Sequence, residues 1–263
     1  MIRPGIVSVT FRSLTAADVI KWTARAGLDG IEWGADVHVP PMPGGGAAAR
    51  EIGLRTREAG LENFSYGSYY RVGHTDPGLF GPVLETALAL GAPVIRVWPG
   101  GKGSADADDG YRERVAADAR RIVKSAGEAG ICIACEWHAG TLTDTAASAT
   151  ALFEAVGQPE TFRAYWQARR HMTLAESLAD IDAALPRMIG LHVLHSDEAS
   201  GERRPLRQGE TFWRACLARA ATAADCRFAL LEFVKADDPR QMREDAAALC
   251  EWLSSLPKEE PQI

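Results

Sequence analysis

One phrase recurs along this chain and limits what it can fold into. A helix-forming stretch runs into a glycine, and a short apolar run follows: Ala26-Gly27-Leu28-Asp29-Gly30-Ile31-Glu32, Ala59-Gly60-Leu61-Glu62-Asn63-Phe64, Leu90-Gly91-Ala92-Pro93-Val94-Ile95 and Ala129-Gly130-Ile131-Cys132-Ile133. A glycine just past a helix supplies the left-handed residue that ends it. The phrases return at steps of roughly 30–40 residues, a repeat of βα units. Strands are predicted at Gly5–Val9, Gly30–Trp33, Glu62–Tyr66, Val94–Trp98, Ile131–Trp137, Phe162–Gln167, Ile189–His195 and Arg227–Phe233. Helices are predicted at Ala16–Ala26, Ala47–Ala59, Leu79–Leu90, Tyr111–Ala129, Thr145–Val156, Leu174–Leu185, Glu210–Ala224 and Arg240–Leu253. Eight such units without a hairpin signal point to a parallel sheet, and eight is the number that closes a (β/α)8 TIM barrel. A doubly wound open sheet is the alternative. It usually carries a Gly-rich dinucleotide turn after its first strand, and Ser8-Val9-Thr10-Phe11-Arg12 is not one.

The 263 residues suit one large barrel, expected over residues 1–256, with a charged, Pro-flanked tail at 257–263 expected to fray. The formal net charge is -6. Phosphate recognition normally needs a basic footprint, so a nucleic-acid partner is not expected. No run approaches the roughly 18 apolar residues of a membrane span, and the N-terminus lacks the parts of a signal peptide, so no membrane partner and a cytoplasmic location are expected. Five cysteines make an odd count with no framework spacing. Cys132 and Cys135 form a C-x-x-C, but on a predicted strand residues three apart point to opposite faces, and two core thiols are expected. Pro99-Gly100-Gly101-Lys102-Gly103-Ser104 lacks the spacing of a phosphate loop.

Chemistry is concentrated at predicted strand ends. The fifth strand ends in Glu136-Trp137-His138, the sixth in Tyr165-Trp166-Gln167, the seventh in His192-Val193-Leu194-His195, and the eighth in Glu232-Phe233-Val234-Lys235. A carboxylate behind an apolar run is costly when buried unpaired. In a closed barrel Glu136, Gln167, His192 and Glu232 would converge, and oxygen and nitrogen donors of this kind suit one divalent cation: Mn²⁺, Mg²⁺, Co²⁺ or Zn²⁺. The competing explanation is that the glutamates form barrel-end salt bridges, with Arg96 as a partner. Strand alternation favours His192 over His195 as the ligand.

These residues resemble the xylose isomerase-like TIM-barrel superfamily, in its sugar phosphate isomerase/epimerase branch. The resemblance runs from Gly30-Ile31-Glu32-Trp33 to Leu230-Leu231-Glu232-Phe233-Val234. There a metal is typically held by Glu, Asp, His and Glu from the ends of the fifth to eighth strands. The resemblance places these at Glu136, in Cys135-Glu136-Trp137-His138-Ala139-Gly140-Thr141, at Gln167, at His192, and at Glu232. Gln167 departs from the pattern, because an amide stands where relatives carry a carboxylate. Arg170 and His171 stand where related members often carry a single His.

The resemblance implies proton abstraction beside a carbonyl of a small sugar, sugar phosphate or keto-polyol, with Glu136 and Glu232 as metal ligands and acid/base groups. A lyase that dehydrates a keto-inositol-like substrate shares the first step. A sugar-binding barrel without turnover is the second alternative. An endonuclease of the same superfamily needs three zinc ions and more His and acidic ligands than six histidines and this charge suggest. Expected substrate contacts are His138, His195, Arg203, Arg204, Lys235, Trp98 and His38, with Trp33, Tyr66, Trp137 and Trp166 weighed as an aromatic wall. Family members often pair barrel to barrel, so a homodimer is an expectation.

Overall fold

The structure, a computed structural model, describes residues 1–197 and 199–257. Among the described residues eight parallel strands close on themselves in chain order, with the first hydrogen-bonded to the last. They are β1 (Arg3–Val7), β2 (Gly30–Gly34), β3 (Glu62–Arg71), β4 (Val94–Trp98), β5 (Cys132–Glu136), β6 (Phe162–Gln167), β7 (Met188–Val193) and β8 (Phe228–Leu231). The intervening helices are α1 (Ala16–Arg25), α2 (Ala47–Glu58), α3 (Phe80–Leu90), α4 (Asp109–Glu128), α5 (Ala146–Val156), α6 (Leu174–Ala184), α7 (Glu210–Ala220) and α8 (Pro239–Ser254). This is the (β/α)8 barrel the repeat predicts.

The differences are at the ends of elements. β1 stops at Val7 because Ser8–Phe11 coils into a 3₁₀ turn. β3 runs on to Arg71, past the predicted Tyr66, and still pairs Arg71 with Trp98 across an irregularity where Tyr69 takes φ 58°. β5 ends at Glu136, whose carbonyl accepts the Thr143 hydroxyl at 2.6 Å. β7 ends at Val193 and β8 at Leu231, ahead of Phe233 at φ 52°. α7 ends at Ala220 rather than Ala224. Of the expected tail, 258–263 lies outside the described residues. Among the described residues no helix is long and apolar enough to cross a membrane.

Two cores follow from strand alternation. Outward residues such as Ile95, Val97, Trp166 and Leu191 pack under the helices. Inward residues such as Val7, Phe64, Val94, Ala134, Tyr165, Phe228 and Leu230 fill the barrel. Phe64 and Phe228 stack at 4.2 Å between ring centres, and glycines make the room. A Cβ on Gly30 would fall 2.6 Å from the Glu62 carbonyl oxygen and 2.7 Å from the Phe64 ring. With the bottom of the barrel filled by hydrocarbon, polar inward residues are left to the C-terminal ends of the strands. Of the two C-x-x-C thiols, Cys135 is buried in the outer core, while Cys132, at the start of β5, is only half-buried rather than a core residue.

Candidate metal centre and active site

The next inward position on each strand builds the site. Behind Ala134 comes Glu136, behind Tyr165 comes Gln167, behind Gly190 comes His192, and behind Leu230 comes Glu232. Register pairs Gln167 with His192, while Glu136 pairs with Tyr165 one inward step below Gln167, and Glu232 lies one inward step beyond Leu230, the partner of His192. Glu136, His192 and Glu232 are buried, and each offers one ligand atom within 4.8 Å of the others. His192 Nδ1 lies 3.2 Å from Glu136 Oε1 and 3.9 Å from Glu232 Oε2. One terminal amide atom of Gln167 sits 2.9 Å from Glu136 Oε1, 3.0 Å from Glu232 Oε2 and 3.1 Å from His192 Nδ1. Neighbouring ligands of an octahedral ion at ~2.1 Å are about 3.0 Å apart, and of a tetrahedral one about 3.4 Å. The donor set fits a small divalent cation. Facing only protein, the amide nitrogen of Gln167 takes this position and donates to both carboxylates. Facing a cation, the amide oxygen is the group that belongs there.

His192 has a second neighbour that sequence reasoning missed. Its Nε2 is buried without a hydrogen-bond partner and faces Glu32 Oε1 at 3.6 Å. A neutral imidazole with its proton on Nε2 leaves the Nδ1 lone pair for a metal, and a carboxylate behind the ring favours that tautomer. Glu32, wholly buried on β2, also accepts from Ser65 Oγ at 2.7 Å and from Arg96 Nε at 2.7 Å. Arg96, on β4, turns its Nη1 onto Glu136 Oε2, and the Trp98 indole N–H donates to that same oxygen. The salt bridge weighed as a competing explanation therefore exists for Glu136, yet it takes one carboxylate oxygen and leaves the other facing the ligand cluster.

Burial favours neutral carboxyls, but the Arg96 and His192 charges outweigh it and hold Glu32 and Glu136 well below the usual carboxylate range. Glu232 behaves oppositely. Burial, joined by the negative charges of Glu136 and Glu32, outweighs His192 and Arg96 and pushes it up to about 7. His192, despite burial, is raised to about 10 by Glu232, Glu32 and Glu136. Two buried carboxyls with divergent proton affinities on either side of a shared imidazole are the arrangement expected of an acid/base site.

The other expected contacts divide. Trp98 is half-buried at the site, edge-on to Tyr69 at 5.0 Å and 5.1 Å from the His138 ring. These three form an aromatic side to the mouth. His138 lies past the end of β5, with Nδ1 against the Ala139 carbonyl. His38 is spent on the scaffold, since its ring nitrogens meet Ser8 Oγ and the Leu14 carbonyl, both at 3.1 Å. His195 lies beyond β7, its carbonyl accepting from Arg204 N at 2.9 Å and its ring beside Gly209. Arg203 pairs with Asp237 over the Phe233 ring, and Arg204 pairs with Glu202, so neither is an uncommitted anion site. Lys235 stands in the turn Lys235–Asp237 beyond Glu232. Trp33, Tyr66, Trp137 and Trp166 are buried in the outer core rather than lining a mouth. His171 is exposed at φ 65°.

The sequence profile of the family described as xylose isomerase-like TIM barrel matches residues 20–256. The chain belongs to that family. Among solved structures, this xylose isomerase-like barrel is similar to a probable 3-DHS dehydratase involved in petrobactin synthesis from Bacillus anthracis. The TM-score is 0.79 at 17% identity, covering 95% of this chain and 99% of that one. It is similar to a D-psicose 3-epimerase (TM-score 0.70, 16% identity, 95% of this chain and 98% of that one). A third is a xylose isomerase-like TIM-barrel protein from Mycobacterium smegmatis in complex with magnesium (TM-score 0.74, 15% identity, 98% of each chain). At such identities these likenesses bear on the fold of this family member. No curated protein matches its sequence.

Proposed function

We propose that this barrel is a metal-dependent isomerase or epimerase that acts on a small sugar, sugar phosphate or keto-polyol by moving a proton next to a carbonyl. The observation that carries the reading is the convergence of Glu136, Gln167, His192 and Glu232 at the C-terminal ends of four successive strands. A divalent cation held by these four would supply Lewis acidity to a carbonyl and its neighbouring hydroxyl. Everything else is done by the chain. Glu232 and Glu136 are the two carboxylates beside the carbon whose proton is to be moved. Glu32 orients His192 from behind. Arg96 balances two buried negative charges beside the place where substrate charge would grow. Trp98, Tyr69 and His138 offer aromatic faces to sugar C–H groups and restrict water.

Dehydration of a keto-polyol ring uses the same first proton abstraction. The likeness to the 3-DHS dehydratase supports it as the second reading. The deciding experiment is elemental analysis of protein purified without added metal, beside Glu232→Gln and His192→Ala. About one divalent ion per chain, lost in both variants, is the expected result. No metal, and no uptake on soaking, leaves a carbohydrate-binding barrel without turnover.

A further inference from the structure

The two glutamates of the proposed centre are not equivalent. Glu136 Oε2 accepts from two donors, Arg96 Nη1 and Trp98 Nε1, while Oε1 faces His192 Nδ1 and the Gln167 amide. Its oxygens are committed, one to donors and one to the ligand cluster. A general base needs a lone pair aimed at a substrate proton. Among the described residues, the side chain of Glu232 has the Gln167 amide as its hydrogen-bonding neighbour, on Oε2. Oε1 is its uncommitted oxygen. Glu232 also stands just past the end of β8, ahead of Phe233 at φ 52°, on the rim of the barrel.

We propose, resting on the reading above, that Glu232 alone moves the proton, and that Arg96 and Trp98 are positioning residues that keep Glu136 a ligand. A single base works on one face of the substrate. Glu232 takes a proton from the carbon beside the carbonyl. The C–H electron pair becomes the C=C bond of an enediolate, and the C=O π pair moves onto oxygen. The same carboxyl then returns the proton on that face, to the carbon it left or, once the neighbouring hydroxyl has passed its proton to the oxyanion, to the other carbon, so that the carbonyl has moved. It can instead hand it to a hydroxyl on the next carbon: the oxyanion pair re-forms C=O, the C=C pair shifts to make a new double bond to that carbon, and its C–O bond breaks to release water. The substrate class follows. Aldose–ketose isomerisation and elimination of water need one face. Inversion at a carbon with one base on each face does not fit this site.

The test uses dihydroxyacetone, whose hydroxymethyl carbons each carry one hydrogen per face. Protein loaded with Mn²⁺, its occupancy measured by calorimetry, is incubated with saturating dihydroxyacetone in deuterated water. Deuterium is counted at each carbon by NMR. One base gives monodeuterated carbons and stops there. In Glu232→Gln, exchange falls about 100-fold or more. In Glu136→Gln at matched Mn²⁺ occupancy, exchange slows with the altered centre but stays confined to the same single hydrogen. Dideuterated carbons, or exchange that survives Glu232→Gln and vanishes in Glu136→Gln, overturn the single-base inference while leaving proton abstraction intact. Mn²⁺ uptake without any exchange overturns both. No Mn²⁺ uptake overturns the metal-dependent reading itself.

Discussion

The His192 ring stands between its prospective ligand partners and Glu32. Nδ1 faces Glu136, Gln167 and Glu232, while Nε2 faces Glu32 Oε1 at 3.6 Å. A carboxylate behind a ligating imidazole fixes its tautomer and raises its basicity, and removing such a partner typically costs 10–100-fold in metal affinity. Glu32→Gln is expected to weaken Mn²⁺ binding by about that factor. Calorimetry checks it, with circular dichroism to show that the barrel persists. Unchanged affinity in a folded variant removes Glu32 from this role.

Gln167 offers a neutral amide to the proposed centre, where the family resemblance leads one to expect a carboxylate. Restoring the charge in Gln167→Asp gives the cation a third anionic ligand, at the cost of repulsion among three buried acids when the metal is absent. The expected outcome is about tenfold or more tighter Mn²⁺ binding together with a lower Tm of the metal-free protein. Equal or weaker binding by calorimetry contradicts it.

The metal-free protein should be most stable near about pH 5, because its buried groups pull in opposite directions. Glu232 is raised from 4.5 to about 7 and His192 from 6.5 to about 10. Their contributions are fully present below the ordinary values and are lost as pH rises through the raised ones. Glu32 and Glu136 are lowered from 4.5, so their contribution is present above that value and is lost as pH falls. A metal displaces the protons on His192 and Glu232, so the stabilisation from Mn²⁺ should grow with pH. Thermal denaturation from pH 3 to 10, with and without Mn²⁺, reads both limbs. A metal-free Tm that holds or rises from about pH 5 to 9 contradicts the assignment.

Gly30 tests the packing that supports the site. A methyl group there meets a backbone carbonyl at 2.6 Å as well as the Phe64 ring. A backbone atom in a closed barrel has little room to move. Gly30→Ala is expected to cost about 1–3 kcal/mol, a Tm loss of roughly 2–10 °C. Gly60→Ala makes a useful contrast. Nothing stands within 4 Å of its added methyl, and its cost is the strain of φ 77°.

The site was legible in the sequence where a polar residue interrupts an apolar strand. Glu136, Gln167, His192 and Glu232 carry that signal, and strand alternation chose His192 over His195. Glu32 carries it too, in Gly30-Ile31-Glu32-Trp33, but its partner Arg96 lies 64 residues away. No local pattern joins them. The loop residues read least well. His38, Arg203 and Arg204 look like substrate contacts by charge and position, yet each is engaged by neighbouring loop or turn groups.

The sequence by itself determined the number of βα units, their parallel order and the inward column of each strand, because glycine stops and apolar alternation are properties of short segments. The tertiary structure alone decided what the polar ends do to one another. Barrel closure brings β2 and β4 level with β5 to β8, so Arg96 joins Glu32 to Glu136, and Glu32 faces the back of His192. Charge, proton affinity and lone-pair direction depend on neighbours within a few ångströms, and those neighbours come from strands far apart in the chain.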